Sequence, residues 1–297
     1  MNRPSPLPVL AALIGLVLGL GAAARPAMAL VLDQEVARTV SFGGSCVRCE
    51  FAGRKLTDAS FVGSDVTGAS FVGADLRGAK LFGSTFTGAD FSRADLRGAR
   101  LMGSTFKGAQ FPAASLSGME AHGATFDNAN FARAQASAAA IQGSSFHGAN
   151  LEGARFAGAS ANACDLSGVQ AEGADFTGAS FHGANLSRGR FERAVFVGAQ
   201  FTASDLGRAS FNEANLKGAG FEHANLKGAD FSRARNLTQD QVDDACTDAS
   251  TRLPPGLVAR GCRGMMISIR TPVSLRVATS APPTPPAPPA PPKAPRW

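Results

Sequence analysis

The sequence predicts a stacked repeat fold that is built from a single five-residue unit. From Phe51 to Phe231 every fifth residue is apolar, which gives 37 consecutive sites without a shift of register. Nineteen of these sites are Phe and twelve are Leu. A period of five matches neither the helical period of about 3.6 residues nor the two-residue alternation of a plain strand. A strict short period is typical of a solenoid, in which each unit packs on its neighbours.

The other positions of the unit also have a regular composition. Two residues before the apolar site the chain nearly always has Ala or Ser, as at Ala59 and Ser64. We expect this position to point inward, where only a small side chain fits beside Phe or Leu. Gly is frequent two residues after the apolar site, as at Gly73 and Gly78. A turn with positive φ favours Gly at that position, so each unit is expected to bend the chain.

Units such as 74–78 (ADLRG) and 224–228 (ANLKG) resemble the pentapeptide-repeat family, with the pattern A-[D/N]-[L/F]-x-x. The resemblance covers roughly residues 49–235. It implies an all-β fold, a right-handed quadrilateral β-helix with short N- and C-terminal caps. It also implies four units, or roughly 20 residues, in each coil.

A coil of that length places every fourth apolar site in one column. One such column begins at Val66, continues with four Phe and ends with four Leu. Runs of identical residues suit aromatic stacking between coils and support the coil length independently of the resemblance. The core sites with the smallest side chains are Ala121, Ala136, Ala161 and Ala171. Around Ala136 we expect a cavity, a narrowing or a bend, with simple closure of the coil as the alternative.

The first 29 residues are predicted to be a secretory signal peptide for the general (Sec) route. Arg3 is followed by an apolar run from Leu7 to Ala24, and residues 27–29 (AMA) form an A-x-A cleavage site. We expect cleavage after Ala29 and no membrane span in the mature chain. An uncleaved membrane anchor is the alternative, because the apolar run is nearly long enough to span a bilayer.

The rest of the chain is divided by composition. Thr238 is expected to cap a short helix within residues 237–246, with Gln241 at the capping-box position. The predicted segments are an N-terminal cap (30–50), the pentapeptide-repeat β-helix (51–235), a C-terminal cap with the short helix (236–263), an extended arm (264–280) and a Pro-rich disordered tail (281–297).

The charge pattern argues against nucleic acid as a partner. The whole chain has a net charge of +6, but residues 51–235 contain 18 basic and 16 acidic residues with mixed signs. Such a surface lacks the basic face that nucleic-acid binding requires. A candidate basic patch at Arg77, Lys80, Arg97 and Arg100 is expected to be neutralised by Asp75 and Asp95.

The five cysteines suit an oxidising compartment. Cys246 and Cys262 follow the last repeat and are predicted to form a disulfide. Cys46 and Cys49 precede the first repeat and are a less certain second pair. A redox motif and a zinc site are weaker interpretations of the same residues. Cys164 occupies an inward small-residue position and is expected to be a free core thiol.

One outward column is apolar, although most outward positions of the repeat unit are polar or Gly, and this column is the candidate interface. Val62, Phe82 and Met102 each follow a core site and are 20 residues apart, with Val72 on a neighbouring column. Exposed apolar columns of this kind mark contact surfaces, although scattered apolar residues are the alternative.

No motif for catalysis, a metal or a cofactor is found, and the four histidines are expected to be ordinary surface residues. We therefore expect no enzyme and no cofactor. The preferred function is an exported structural or protein-interaction scaffold of the bacterial envelope, in the periplasm or secreted, with an unidentified protein partner or self-association. The resemblance also implies an alternative, because some family members interact with DNA gyrase by mimicking DNA. A secreted effector is the third hypothesis.

Overall fold

The computed structural model describes residues 41–262. The predicted signal peptide, most of the N-terminal cap, the extended arm and the Pro-rich tail lie outside these residues. Three short strands, β1 (Ser41–Phe42), β2 (Ser60–Val62) and β3 (Lys80–Phe82), form a parallel sheet in the order β1-β2-β3. A single short helix, α1 (Gln239–Asp243), follows the repeats.

Most of the rod is held by a ladder of isolated parallel bridges between residues 20 apart. The 20-residue spacing extends from the Ser45–Asp65 bridge to the Asn215–Arg235 bridge. The coil length that the resemblance implied is thus confirmed, and so is the right-handed quadrilateral β-helix. Each coil stacks on the next as neighbouring strands do, about 4.8 Å apart.

Each five-residue unit ends in a tight turn that forms one corner of the coil. In the turn after Leu56, the N–H of Ala59 donates to the Leu56 carbonyl at 3.0 Å. The second residue after the apolar site has positive φ, as in Gly143 (φ 66°) and Ala138 (φ 55°). Glycine adopts this conformation without a steric penalty, which explains its frequency there.

Stacked phenylalanines fill the core. In the column from Phe86 to Phe146, successive rings are stacked with centroids 4.7 to 5.0 Å apart. Adjacent columns meet edge-on, as between Phe126 and Phe131 at 5.4 Å. In the C-terminal half the stacks move to other columns, for example Phe176 on Phe196 at 5.0 Å. The predicted like-on-like stacking is confirmed.

The small core residue Ala136 does not interrupt the ladder. Its N–H donates to the carbonyl of Arg155 at 2.7 Å, the same length as in neighbouring coils. Phe156, one coil further along, places its ring edge-on at 6.4 Å from both Phe131 and Phe146. The ladder keeps its spacing here, in agreement with simple closure of the coil rather than a bend.

The C-terminal end of the rod is closed by the helix and by a disulfide. The predicted capping box is confirmed, with Thr238 as N-cap and Gln241 at N3 of α1. The Gln241 amide Nε2 also donates to the carbonyls of Leu216 and Ala219, at 3.0 and 2.7 Å. The Ala219 carbonyl belongs to the last coil, where no further coil supplies an N–H, whereas the Leu216 carbonyl also accepts the N–H of Ala219 at 3.1 Å.

Candidate binding surfaces

The predicted apolar column lies on one side of the rod. Val62 is the last residue of β2 and Phe82 the last residue of β3. Val62 pairs directly with Phe82 in the β2–β3 register. The carbonyls of Phe82 and Met102 accept the N–H groups of Gly63 and Gly83, at 3.0 and 3.1 Å. The three residues therefore form one continuous column.

The exposure of this column is less uniform than expected. Val62 and Met102 are exposed, at 51% and 37%, but Phe82 is partly buried. The guanidinium of Arg100 lies 5.5 Å from the centre of the Phe82 ring, and its Nε donates to Glu120 at 3.0 Å. This cation–π contact covers the central ring of the column. The expectation of a fully exposed apolar column was wrong at Phe82.

Val72 belongs to a different surface. It is partly buried and lines a shallow depression with Arg93, Pro112 and Ala113. The structure thus brings together Val62, Phe82 and Met102 but leaves Val72 apart from them.

Three of the four cations of the candidate basic patch are paired with carboxylates. Arg77 and Arg97 pair with Asp75 and Asp95 at 2.6 and 2.7 Å, and Arg77 also lies 3.8 Å from Asp95. Hydrogen bonds from Arg77 lower the pKa of Asp75 to about 2. Arg100 pairs with Glu120 at 3.0 Å, so Lys80 is the one cation of the patch without a carboxylate partner among the described residues.

The cysteines lie at the positions expected for end caps. Disulfides join Cys46 with Cys49 and Cys246 with Cys262, one at each end of the described rod. Cys164 is a buried free thiol, and its Sγ donates to the Ile141 carbonyl at 2.8 Å. Burial raises the pKa of Cys164 to about 11, so the thiol stays protonated and unreactive.

No metal centre is formed by the described residues, because no three His, Cys, Asp or Glu side chains lie close enough together. Three of the histidines, His147, His182 and His223, are exposed, and His122 is partly buried. No helix within residues 41–262 combines the length and apolar character needed to cross a bilayer.

A shallow groove that sequence reasoning missed runs along another side of the C-terminal half. It has a volume of about 560 Å³. We call it the polar groove. Its floor consists of one small residue in each coil, Ser167, Ser187 and Gly207, with His147 and Lys227 at the ends. Small outward residues spaced by 20 are the sequence signal for such a groove, whereas the candidate interface was predicted from apolar outward residues.

The two walls of the polar groove differ in chemistry. One wall carries Asn185, Asp205 and Asn225, and the other carries Arg188 and Arg208. The side-chain oxygens of the first wall accept the N–H of the floor residue in each coil; for example, Asp205 Oδ1 accepts from Gly207 at 2.9 Å. The groove therefore has a wall of two amides and one carboxylate, fixed by these hydrogen bonds, opposite a basic wall.

Comparison with known proteins agrees with this architecture. The family profile for pentapeptide repeats matches eight copies in five segments between residues 45 and 233. This chain belongs to the pentapeptide repeat family. No curated protein sequence matches it.

Solved structures of pentapeptide repeat proteins are similar to this one at low identity. HetL, involved in heterocyst differentiation regulation in the cyanobacterium Nostoc, is 22% identical, with 72% of this chain and 92% of HetL covered and a TM-score of 0.47. QnrB1, a plasmid-mediated fluoroquinolone resistance protein, is 22% identical, with 71% of this chain and 94% of QnrB1 covered and a TM-score of 0.39. A pentapeptide repeat protein from the thylakoid lumen of Arabidopsis thaliana is 32% identical, with 38% of this chain and 65% of that protein covered and a TM-score of 0.24.

Proposed function

We propose that this pentapeptide repeat protein is an exported, non-catalytic binding scaffold of the bacterial envelope. The observation that carries the proposal is the placement of the four cap cysteines. Cys46 lies beside Cys49 and Cys246 beside Cys262, each pair within disulfide distance. Disulfides persist in secreted and periplasmic proteins and are rare in the cytosol.

The surface of the rod supports a binding role over a catalytic one. The described depressions are shallow and open. In one of them the Ser167 hydroxyl lies 2.9 Å from His147 Nδ1, but no carboxylate of the described residues hydrogen-bonds to that imidazole to orient it as a catalytic base. A long rod offers instead a large, regular surface on which partners bind along the axis. Its partner is either another protein or a further copy of the chain.

The gyrase-interacting alternative requires an acidic face that resembles DNA. The longest acidic column of the described rod is Glu152, Glu172 and Glu192, one residue in each successive coil. Arg190 pairs with Glu172 at 2.8 Å and lies 3.9 Å from Glu192. Arg190 thus lies against two of the three carboxylates, and residues 51–235 contain 18 basic against 16 acidic residues. Because so short a column does not make an acidic face, we rank DNA mimicry below the envelope scaffold, and a secreted effector also ranks below it.

The proposal is tested by fractionating cells that express the full chain and sequencing its N-terminus by mass spectrometry. A chain that begins near Leu30 in the periplasm or medium, with no free thiol other than Cys164, is the expected result. A cytoplasmic chain that retains Met1 and five reduced cysteines would contradict the proposal. Cell-free medium separates the secreted form from the periplasmic one.

A further inference from the structure

The basic wall of the polar groove consists of arginines with no carboxylate partner. Neither Arg188 nor Arg208 forms an ion pair with any residue of the described rod, whereas Arg190 between them in sequence does. Lys227 adds a third cation at one end. Asp205 is the only carboxylate among the lining residues, so the groove has a positive balance that attracts anions.

Both arginines occupy a backbone conformation in which most units of this chain use Gly. Their φ angles are 59° and 60°, in the left-handed region that disfavours any residue with a Cβ. Other units also carry Arg at this position, such as Arg93 and Arg133, but the residues one coil away from those two are Gly or Ala. Here two successive coils carry the same strained residue on the same wall of one groove.

The opposite wall presents hydrogen-bonding groups that suit hydroxyls. Asn225 Nδ2 donates to Asp205 Oδ1 at 2.8 Å, and Asn185 Nδ2 donates to Asp165 Oδ1 at 3.1 Å. These contacts fix the orientation of the amides. They leave the second amide N–H of each Asn and the second oxygen of Asp205 available to a ligand. A ligand that matches both walls must carry hydroxyls as well as anionic groups.

The composition of the groove excludes two other classes of ligand. All its lining side chains are polar or absent, so it offers no Trp, Tyr or apolar anchor of the kind on which protein interfaces depend. Its one aromatic ring is the imidazole of His147 at one end, so successive bases of a single-stranded nucleic acid would find no row of rings on which to stack. A polar, periodic polymer is the class that remains.

The groove follows the rod axis, along which the coils are about 4.8 Å apart. One wall carries Asn or Asp in three successive coils, and the other carries Arg in two, after Gly168 in the coil before. An extended chain of sugars repeats its hydroxyl and acidic groups on a similar scale, so successive residues of the ligand meet corresponding positions of the protein.

We infer that the polar groove binds a linear acidic polysaccharide, with Arg188 and Arg208 on its carboxylates and Asn185, Asp205 and Asn225 on its hydroxyls. This inference goes beyond the protein partner of the proposed function and rests only on its exported location, because such polymers lie outside the cytoplasm. Binding by the purified chain does not depend on where the cell places it. A failure of export and a failure of binding are therefore distinguishable.

The test is calorimetric titration of the full chain with a hexamer of galacturonic acid. Arg188→Gly and Arg208→Gly are the key variants, because Gly at positive φ removes the charge without straining the fold. Each is expected to weaken binding by about tenfold or more, as for one lost charged hydrogen bond. Arg133→Gly, which also has positive φ (58°) but lies outside the groove, is the matched control and should leave binding unchanged.

A second variant pair tests the location independently of the arginines. Ser187→Glu puts a carboxylate on the groove floor, at a repeat position where Glu152 and Glu172 show that Glu is accommodated. It should abolish binding, while Ser137→Glu at the same repeat position on another side should not. No binding to the hexamer would overturn the inference. Equal affinity for a neutral glucose hexamer, for polyglutamate or for single-stranded DNA would also overturn it.

Discussion

The Ser84 hydroxyl, from one coil, accepts the backbone N–H of Ser64, in the preceding coil, at 2.9 Å. The same hydroxyl lies 3.1 Å from the carbonyls of both Phe61 and Phe82, and its single proton is donated to one of them at a time. Elsewhere in the rod the turn amide bonds directly to the turn carbonyl, as Ala59 does to Leu56. At this corner a buried side chain is inserted into the turn and links two coils. Ser104 repeats the arrangement one coil further along.

Ser84→Ala should therefore destabilise the rod more than the removal of a single hydroxyl from an exposed position would. The substitution leaves the Ser64 N–H and the Phe61 carbonyl without this partner in a buried site, at a cost of about 1 to 3 kcal/mol. Chemical denaturation measures the change in the free energy of unfolding. Ser137→Ala, at a partly exposed position, should change it by less than about 0.5 kcal/mol. Equal effects of the two substitutions would contradict the bridging role.

Gly189→Ala is expected to be destabilising for a steric reason. Gly189 occupies the inward small-residue position, where a Cβ would lie 2.5 and 2.7 Å from two atoms of the Phe191 ring. The ring must move, and overpacking of this kind costs about 1 to 3 kcal/mol. Thermal unfolding measures the loss.

The double variant Gly189→Ala with Phe191→Leu is the control for this explanation. Leu occupies the equivalent core site in other coils, such as Leu151, and its smaller side chain frees the space. The double variant should be less destabilised than the sum of the two single variants. Strict additivity would show that the ring is not the obstacle.

Two neighbouring turns allow the free-energy cost of backbone strain to be measured separately from that of packing. Gly143 and Ala138 both have positive φ, and no atom lies within 4 Å of a Cβ built on Gly143. Gly143→Ala should cost about 1 kcal/mol from the left-handed backbone alone. Ala138→Gly removes the same strain and should stabilise the rod. If both substitutions destabilised the protein in denaturation experiments, the strain explanation would fail.

The low pKa of Asp75 predicts a dependence of stability on acid. Its folded pKa of about 2 is below its ordinary value of 3.8, chiefly because of hydrogen bonds from Arg77. The stabilising contribution is therefore complete above about pH 4 and is lost as the pH falls towards 2. Both side chains are partly exposed, so solvent screens the pair and the effect is small.

Denaturation midpoints of the wild type and Asp75→Asn, measured between pH 2 and 5, test this dependence. The wild type should lose more stability than the variant on acidification, and the two curves should converge near the acid end. Parallel curves over the whole range would show that the Asp75–Arg77 pair does not contribute. High salt should reduce the difference, as expected for an exposed ion pair.

The period-five pattern was sufficient to predict a stacked repeat fold, because every unit carries its own core residue and its own turn. The length of the coil came from the family resemblance, with support from the columns of identical core residues. The helix cap at Thr238 was predictable for the same reason, since its signal is local in sequence. The burial of Phe82 was not predictable in this way. Phe82 is covered because the Arg100 guanidinium, from the neighbouring coil, lies over its ring while Arg100 also pairs with Glu120.

The polar groove escaped prediction because its signal is the small size of side chains, not their chemistry. Ser167, Ser187 and Gly207 are unremarkable one at a time, and only the 20-residue coil places them in line. The same applies to Arg188 and Arg208, which local sequence presents as two of many surface cations. Their lack of partners becomes evident only when all ion pairs of the neighbouring coils are known.

The end of the rod provides a final prediction, at Gln241. Its Oε1 accepts the Thr238 N–H at 2.8 Å, and its Nε2 donates to the carbonyls of Leu216 and Ala219. Gln241→Glu keeps the acceptor of the capping box but places a carboxylate oxygen against two carbonyl oxygens. It should lower the thermal midpoint more than Gln241→Ala, which loses the contacts without adding repulsion.

Asp240→Ala, at an exposed residue of the same helix, controls for general helix effects. If Gln241→Glu were no worse than Gln241→Ala, the two carbonyls would be satisfied by water and α1 would act only as a steric plug. The expected order, with Glu below Ala and Ala below wild type, would instead mean that the Gln241 amide gives the Ala219 carbonyl the donor that the next coil would have provided.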